Sequence, residues 1–114
     1  AKAQLFVKGE KEPLKFCSVK DGFVYVLQPE NASRTVAFYV SDFGNKKDVP
    51  LHEKMLTAQK AFFNAGSAVR GAMGKSILPF ATKEEVQAFT KEHGGTIVNY
   101  SEVKFELLKS LKGH

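Results

Sequence analysis

The chain has no tryptophan, one cysteine, two methionines and four prolines in 114 residues. A single thiol, Cys17, cannot close an internal disulfide, and it excludes Cys-rich zinc and iron–sulfur sites. No apolar run approaches the roughly 20 residues that a membrane-spanning helix needs. The opening Ala1-Lys2-Ala3-Gln4 lacks the apolar stretch of a secretory leader, so the chain reads as cytosolic, as already processed or as a piece of a longer protein. Coiled-coil heptads, collagen triplets and low-complexity repeats are absent too. What is present suits one folded domain over residues 1–114: 43% hydrophobic and 25% charged residues, with ten Phe and three Tyr for the core. The 17 basic and 12 acidic side chains leave a formal charge of +5.

Hydrophobic periodicity divides the chain into elements. Ala3, Leu5 and Val7 alternate with Gln4, Phe6 and Lys8, a turn follows at Gly9–Pro13, and Leu14–Cys17 resumes, which predicts a hairpin. Ser18 with Asp21 three residues on has the form of a capping box, and Val19, Phe23, Val26 and Leu27 then share a helical face. Against that helix stands the run Phe23-Val24-Tyr25-Val26-Leu27, which is rich in strand formers. Pro29–Ser33 reads as a turn, Thr35–Val40 as a strand with Val36, Phe38 and Val40 on one face, and Ser41–Pro50 as an exposed loop. Leu51–Gly66 is ambiguous: Met55, Ala58 and Phe62 suit a helix, whereas Ala61-Phe62-Phe63 suits a strand. Thr82 with Glu85 is a second cap, Val86 and Phe89 face the core, and His93-Gly94-Gly95 stops the helix, with either glycine suited to the left-handed cap. Thr96–Tyr100 is a strand, and Ser101 caps a final helix that aligns Val103, Leu107 and Leu111.

The two halves echo each other. Phe16-Cys17-Ser18 and Phe80-Ala81-Thr82, 64 positions apart, both read aromatic, small, hydroxyl cap, and each precedes a helix and then a strand. Two β-β-α-β units follow, giving an α+β fold with a mostly antiparallel sheet, packed helices and a C-terminal helix.

Few residues stand out for chemistry. Met73 lies between Gly71-Ala72 and Gly74-Lys75, where core packing gives it little reason to be, and a thioether on a glycine-flanked loop suits a soft ion such as Cu(I). The plainer reading is a loop methionine that closes over the core. Cys17, at a strand-to-helix junction, reads as a buried small residue, a soft-metal ligand or a reactive thiol. His52, His93 and His114 have no zinc-type spacing; His93 suits a helix C-terminus and His52 a solvated loop. No carboxylate stands alone in an apolar run, so acid–base catalysis has no cast. Gly74-Lys75-Ser76 resembles the tail of a phosphate loop, but Val69 stands where that loop needs glycine. Lysines such as Lys46, Lys47, Lys104, Lys109 and Lys112 are dispersed among acids, and the arginines are only Arg34 and Arg70, so nucleic acid is not expected as a partner.

Four pieces of the second half carry a resemblance: Ala58–Ser67, Arg70-Gly71-Ala72-Met73-Gly74, Pro79-Phe80-Ala81 and His93-Gly94-Gly95. In that order and spacing they resemble the NosL family, accessory proteins for nitrous-oxide reductase. The first half agrees more loosely through Ala3-Gln4-Leu5, Phe16-Cys17-Ser18 and Phe38–Asp42. The resemblance implies two β-β-α-β units, a fold shared with the C-terminal part of organomercurial lyase. It also implies a periplasmic protein, held at the membrane only through a lipid anchor outside this chain. Such a protein binds Cu(I) for nitrous-oxide reductase or its assembly factors and is not an enzyme. The family's ligands lie in an N-terminal Cys-Gly-Met-type segment and in a Met of the glycine-flanked loop, whose counterpart here is Met73. The first segment has no counterpart from Ala1 onward, so either it precedes Ala1 in a longer protein or this is a divergent member. A tryptophan common in the family near Met55-Leu56 is missing too. Cys17 is not a family ligand position; it enters as a ligand through its softness alone. Two other functions stay open: an interaction domain of the same fold without metal, and, by analogy with the lyase, an enzyme with Cys17 as nucleophile.

Overall fold

Alternating apolar residues make β1 (Ala3–Val7) a strand buried on one face, and it pairs antiparallel with β2 (Leu14–Phe16) as the hairpin pattern requires. The computed structural model describes residues 3–44, 55–67 and 77–111. Helix α1 (Val19–Val26) wins over the strand alternative: the Ser18 Oγ accepts from the Asp21 N–H at 3.1 Å, and Val19, Gly22, Phe23 and Val26 are buried. The expected turn at Pro29 is instead a one-turn helix, α2 (Pro29–Ala32). Proline at its first position has a φ preset for helix, and the Asn31 and Ala32 N–H groups both donate to the Gln28 carbonyl.

Strand β3 (Thr35–Ser41) pairs with β1 on one side and β4 (Met55–Thr57) on the other. The register slips between Phe6 and Val7, leaving Val36 as an extra residue that is 68% exposed rather than on the face of Phe38 and Val40. The exposed loop expected from Ser41 onward is also corrected at its start, since Ser41 and Asp42 are buried. Between Met55 and Ala65 the strand reading prevails. A 3-10 turn at Ala58–Lys60 ends β4, and β5 (Phe62–Ala65) then begins a second sheet with β6 (Ile77–Phe80) and β7 (Thr96–Asn99). The strands therefore form two antiparallel sheets rather than one, in the orders β2-β1-β3-β4 and β6-β5-β7.

Helix α3 (Lys83–His93) follows the sequence reading, with the Thr82 Oγ1 accepting from the Glu85 N–H at 3.1 Å. It ends at Gly94, whose φ of 78° is positive but whose ψ of −169° is extended, so the stop is not a left-handed cap. The final helix splits in two. A 3-10 turn at Tyr100–Glu102 is capped by Asn99, not Ser101: the Asn99 Oδ1 accepts from the Glu102 N–H while the Glu102 carboxylate accepts from the Asn99 N–H. Helix α4 (Phe105–Ser110) then starts at Lys104 without a side-chain cap.

Each half is thus a β-β-α-β unit, β1-β2-α1-β3 and β5-β6-α3-β7, with the first strand central in both. Helix α1 lies close against its sheet because Gly22 has no side chain; a Cβ there would meet the Ala3 Cβ at 3.0 Å and the Phe38 ring at 3.1 Å. One core joins the units. The Phe23 ring lies 5.1 Å from Phe38, 5.5 Å from Phe63 and 5.5 Å from Tyr100, edge-on or tilted. The other face of the second sheet is covered by α3 through Leu78, Phe80 and Val86, with Phe43, Phe62 and Phe89 around them.

Candidate metal centre

Two residues stand as soft ligands on sequence grounds, and the structure places one of them. Cys17 follows β2 and immediately precedes the Ser18 cap of α1. Its thiol is free and exposed, which overturns the buried-residue reading and leaves the sulfur open to an ion. Phe16 beside it turns inward, its ring 5.8 Å from that of Tyr25, so the strand end is anchored while the next side chain faces solvent. Met73 lies outside the described residues, as do His52 and His114. The described residues on either side of it are held in place: Ala65 pairs with Ile77 across β5 and β6, and Ser67 and Ile77 are both buried.

Among the described residues, no three His, Cys, Asp or Glu side chains come together as a cage for a metal ion. His93 is in the last turn of α3, where the dipole argument puts it, with its ring 4.5 Å from Phe89 and its Nε2 3.4 Å from the neighbouring Glu92 carboxylate. Asp42, read from sequence as a loop residue, is buried, and its Oδ1 accepts from the Gly44 N–H at 2.9 Å. Gly44 in turn packs on Phe80 and on the Glu85 carboxylate at the start of α3. Tyr100, half-buried against Phe23 and Phe38, has its hydroxyl pKa raised from 10.0 by desolvation.

A residue that sequence reasoning passed over is Asn64, fully buried in the middle of β5. Its Nδ2 donates to the Thr90 Oγ1 at 2.7 Å and to the Gly94 carbonyl at 3.0 Å, tying the second sheet to the end of α3. Thr90 passes the chain of bonds on by donating to the Val86 carbonyl. The Asn64 Oδ1 has no hydrogen-bond partner and lies against Gly95. The available signal was an amide inside an aromatic strand, followed in the same chain by a Gly-Gly helix stop. The arrangement ties β5 to the end of α3 within the second unit.

Comparison with known proteins agrees with the architecture. The NosL family model matches residues 1–108. The chain belongs to the NosL family. A copper-binding lipoprotein NosL of Achromobacter cycloclastes is 35% identical over 106 residues, covering 90% of this chain and 55% of that protein. The protein of the same name from Stutzerimonas stutzeri is 32% identical over 96 residues, covering 83% of this chain and 50% of its own length. The chain therefore spans about half the length of these curated NosL relatives. Among solved structures, the crystal structure of the copper chaperone NosL from Shewanella denitrificans superposes with a TM-score of 0.84 at 30% identity, over 92% of this chain and 79% of the other. The solution structure of apo-NosL from Achromobacter cycloclastes gives 0.65 at 30% identity, over 93% and 87%. The NosL fold is thus the pair of β-β-α-β units described above.

Proposed function

We propose that this chain is the copper-binding domain of a periplasmic accessory protein that carries Cu(I) to nitrous-oxide reductase or its assembly factors. The observation that carries the reading is the family match over residues 1–108 together with the 0.84 superposition on a copper chaperone. Copper is cargo here: the domain acts by holding and releasing the ion rather than by turning over a substrate. Met73 is the proposed thioether ligand and the exposed Cys17 a second sulfur donor. Soft sulfur suits Cu(I) better than it suits hard cations. The relatives are named lipoproteins, and no helix among the described residues is long and apolar enough to cross a membrane. Attachment through a lipid outside these 114 residues fits both facts.

The test is Cu(I) titration under reducing, anaerobic conditions against a chromophoric chelator, on the chain and on Met73→Ala and Cys17→Ser. Loss of affinity in Met73→Ala is expected, with a smaller loss in Cys17→Ser. Equal binding by all three would remove both residues from the site. No measurable Cu(I) binding by the chain would favour a domain that only binds other proteins.

A further inference from the structure

The two units use their sheets differently. Phe16 and Phe80 occupy equivalent places, each two residues before a helix cap, and pair with Ala3 and Phe62 in their respective hairpins. From that anchor Gln4 corresponds to Phe63, Lys15 to Pro79 and Tyr39 to Val98, because Gln4 pairs with Lys15 and Tyr39 as Phe63 pairs with Pro79 and Val98. Phe6 corresponds to Ala65 in the same way. In the second unit this helix-free face is core: Phe63, Ala65 and Val98 are buried against the first unit. In the first unit the described positions of the equivalent face are exposed at Phe6 and Lys15, half-exposed at Gln4, Ala37 and Tyr39, and buried only at Ser41.

This face has a consistent chemistry. Its centre is the pair Phe6 and Tyr39, with rings 5.8 Å apart and edge-on, and Phe6 is 38% exposed. Lys15 flanks the pair on β2, and Lys8, the next residue outward in the alternation of Gln4 and Phe6, flanks it beyond β1. Both lysines are exposed, and neither has an ion-pair partner among the described residues. No carboxylate occupies a described strand position of the face, whose other members are Gln4, Ala37, Ser41, Met55 and Thr57; Ser41 is buried, and Glu10 and Glu12 lie further out in the turn after Lys8. An aromatic pair with one ring exposed and the other half-exposed, set between two exposed lysines, matches the boundary of a bilayer with anionic headgroups, where rings sit at headgroup depth and lysines find phosphates.

We propose that this face lies on an anionic phospholipid surface, orienting the domain at the membrane. The inference rests on the lipid anchoring proposed above, which would keep the domain near the bilayer and make a weak surface contact effective. Vesicle co-sedimentation of the unanchored chain tests it apart from that reading, which detergent partition of the full-length protein tests separately. The chain is expected to bind phosphatidylglycerol–phosphatidylcholine vesicles and not pure phosphatidylcholine, and to dissociate as salt is raised. Because the net charge of +5 alone would draw the protein to anionic lipid, the decisive comparison is between two variants of equal charge. Lys8→Gln/Lys15→Gln is expected to weaken partitioning roughly 25-fold, about fivefold per lysine at the surface. Lys104→Gln/Lys109→Gln, on exposed α4 positions, should lower it far less. Phe6→Ser should also weaken binding at unchanged charge, with circular dichroism confirming the fold of every variant. Equal losses in the two lysine pairs, or no vesicle binding at all, would overturn the proposal. Resonance shifts at Phe6 and Tyr39 with polyglutamate but not with vesicles would overturn it in favour of an acidic protein surface.

Discussion

Replacing Gly95 by alanine tests how tightly the end of α3 is tied to the middle of the second sheet. The perturbation has two separable parts. Gly95 has a φ of +97°, which an alanine reaches only at a cost of about 1–3 kcal/mol. The added Cβ would also lie 2.7 Å from the Asn64 Oδ1, 3.0 Å from the Asn64 Nδ2 and 3.0 Å from the Ala65 carbonyl oxygen. None of these atoms can easily retreat. The amide is buried and holds two hydrogen bonds, and the carbonyl is backbone in a central strand. Overpacking of this kind adds about 1–3 kcal/mol, so the total loss is roughly 2–6 kcal/mol of a stability that is typically about 5–15 kcal/mol.

Gly9 isolates the backbone part. Its φ is +85°, yet an added Cβ there meets nothing within 4 Å. Gly9→Ala is therefore expected to lose only about 1–3 kcal/mol. Urea unfolding followed by far-ultraviolet circular dichroism reads both, and the extra loss at Gly95 corresponds to about 1 M in the midpoint at ordinary m-values. Asn64→Ala closes the cycle. Alone it gives up two hydrogen bonds, at about 1 kcal/mol each. Combined with Gly95→Ala it also removes two of the three clashing atoms, so the double variant should be about 1 kcal/mol more stable than additivity allows. With Gly9→Ala the effects should simply add. Equal losses at Gly9 and Gly95, with no coupling to Asn64, would refute the account of how β5 and α3 are joined.

Other perturbations are simpler. Ser18→Ala and Thr82→Ala each remove the side-chain acceptor at a helix start and should each lower stability by about 1 kcal/mol in the same urea assay, whereas Ser101→Ala, which caps no helix, should not. Tyr100 ionises above its ordinary pKa because it is half-buried, so the unfolded chain loses its proton first. Stability should be full below pH of about 10 and fall as pH rises beyond it, and Tyr100→Phe should remove that part of the alkaline decline. Asn64→Asp would set a buried carboxylate against the Gly94 carbonyl, pushing its pKa up. Its penalty should be complete at neutral pH and shrink relative to the unaltered chain as pH falls toward about 4, the reverse of a normal surface aspartate.

Local chemistry made much of this fold legible. Ser18 and Thr82 were readable as caps because a hydroxyl three residues before a helical N–H is a short-range device that tertiary context rarely alters. Their common spacing exposed the repeat. The ends of other elements were less readable for equally local reasons: Asn99 and Ser101 both suit a cap, and only the reciprocal bond from Glu102 decides between them. Val36 left its expected face because a bulge shifts register without a signature in composition. For the site, the glycine-flanked setting of Met73 and the resemblance around it were in the sequence. The exposure of Cys17 and the burial of Asn64 were not; Asn64 is buried because α3 of its own unit packs over β5 and supplies Thr90 and the Gly94 carbonyl as partners.

Packing between the two units explains why α1 read so nearly as a strand. A helix covering a sheet on one side only needs a single apolar stripe, and α3, which turns Val86 and Phe89 to its sheet and is mostly polar elsewhere, is of that kind. Helix α1 meets its own sheet through Gly22 and Phe38 and the second sheet through Phe23 and Phe63, so apolar residues are needed around most of its surface. Phe23, Tyr25, Val26 and Leu27 satisfy that need at the expense of helical periodicity, while Val24 stays exposed. The burial that obscured the helix in the sequence is the burial that fills the core between the units. With α1 and the second sheet both committed to that core, the face of the first sheet bearing Phe6 and Tyr39 remains exposed, although its counterpart in the other unit is enclosed.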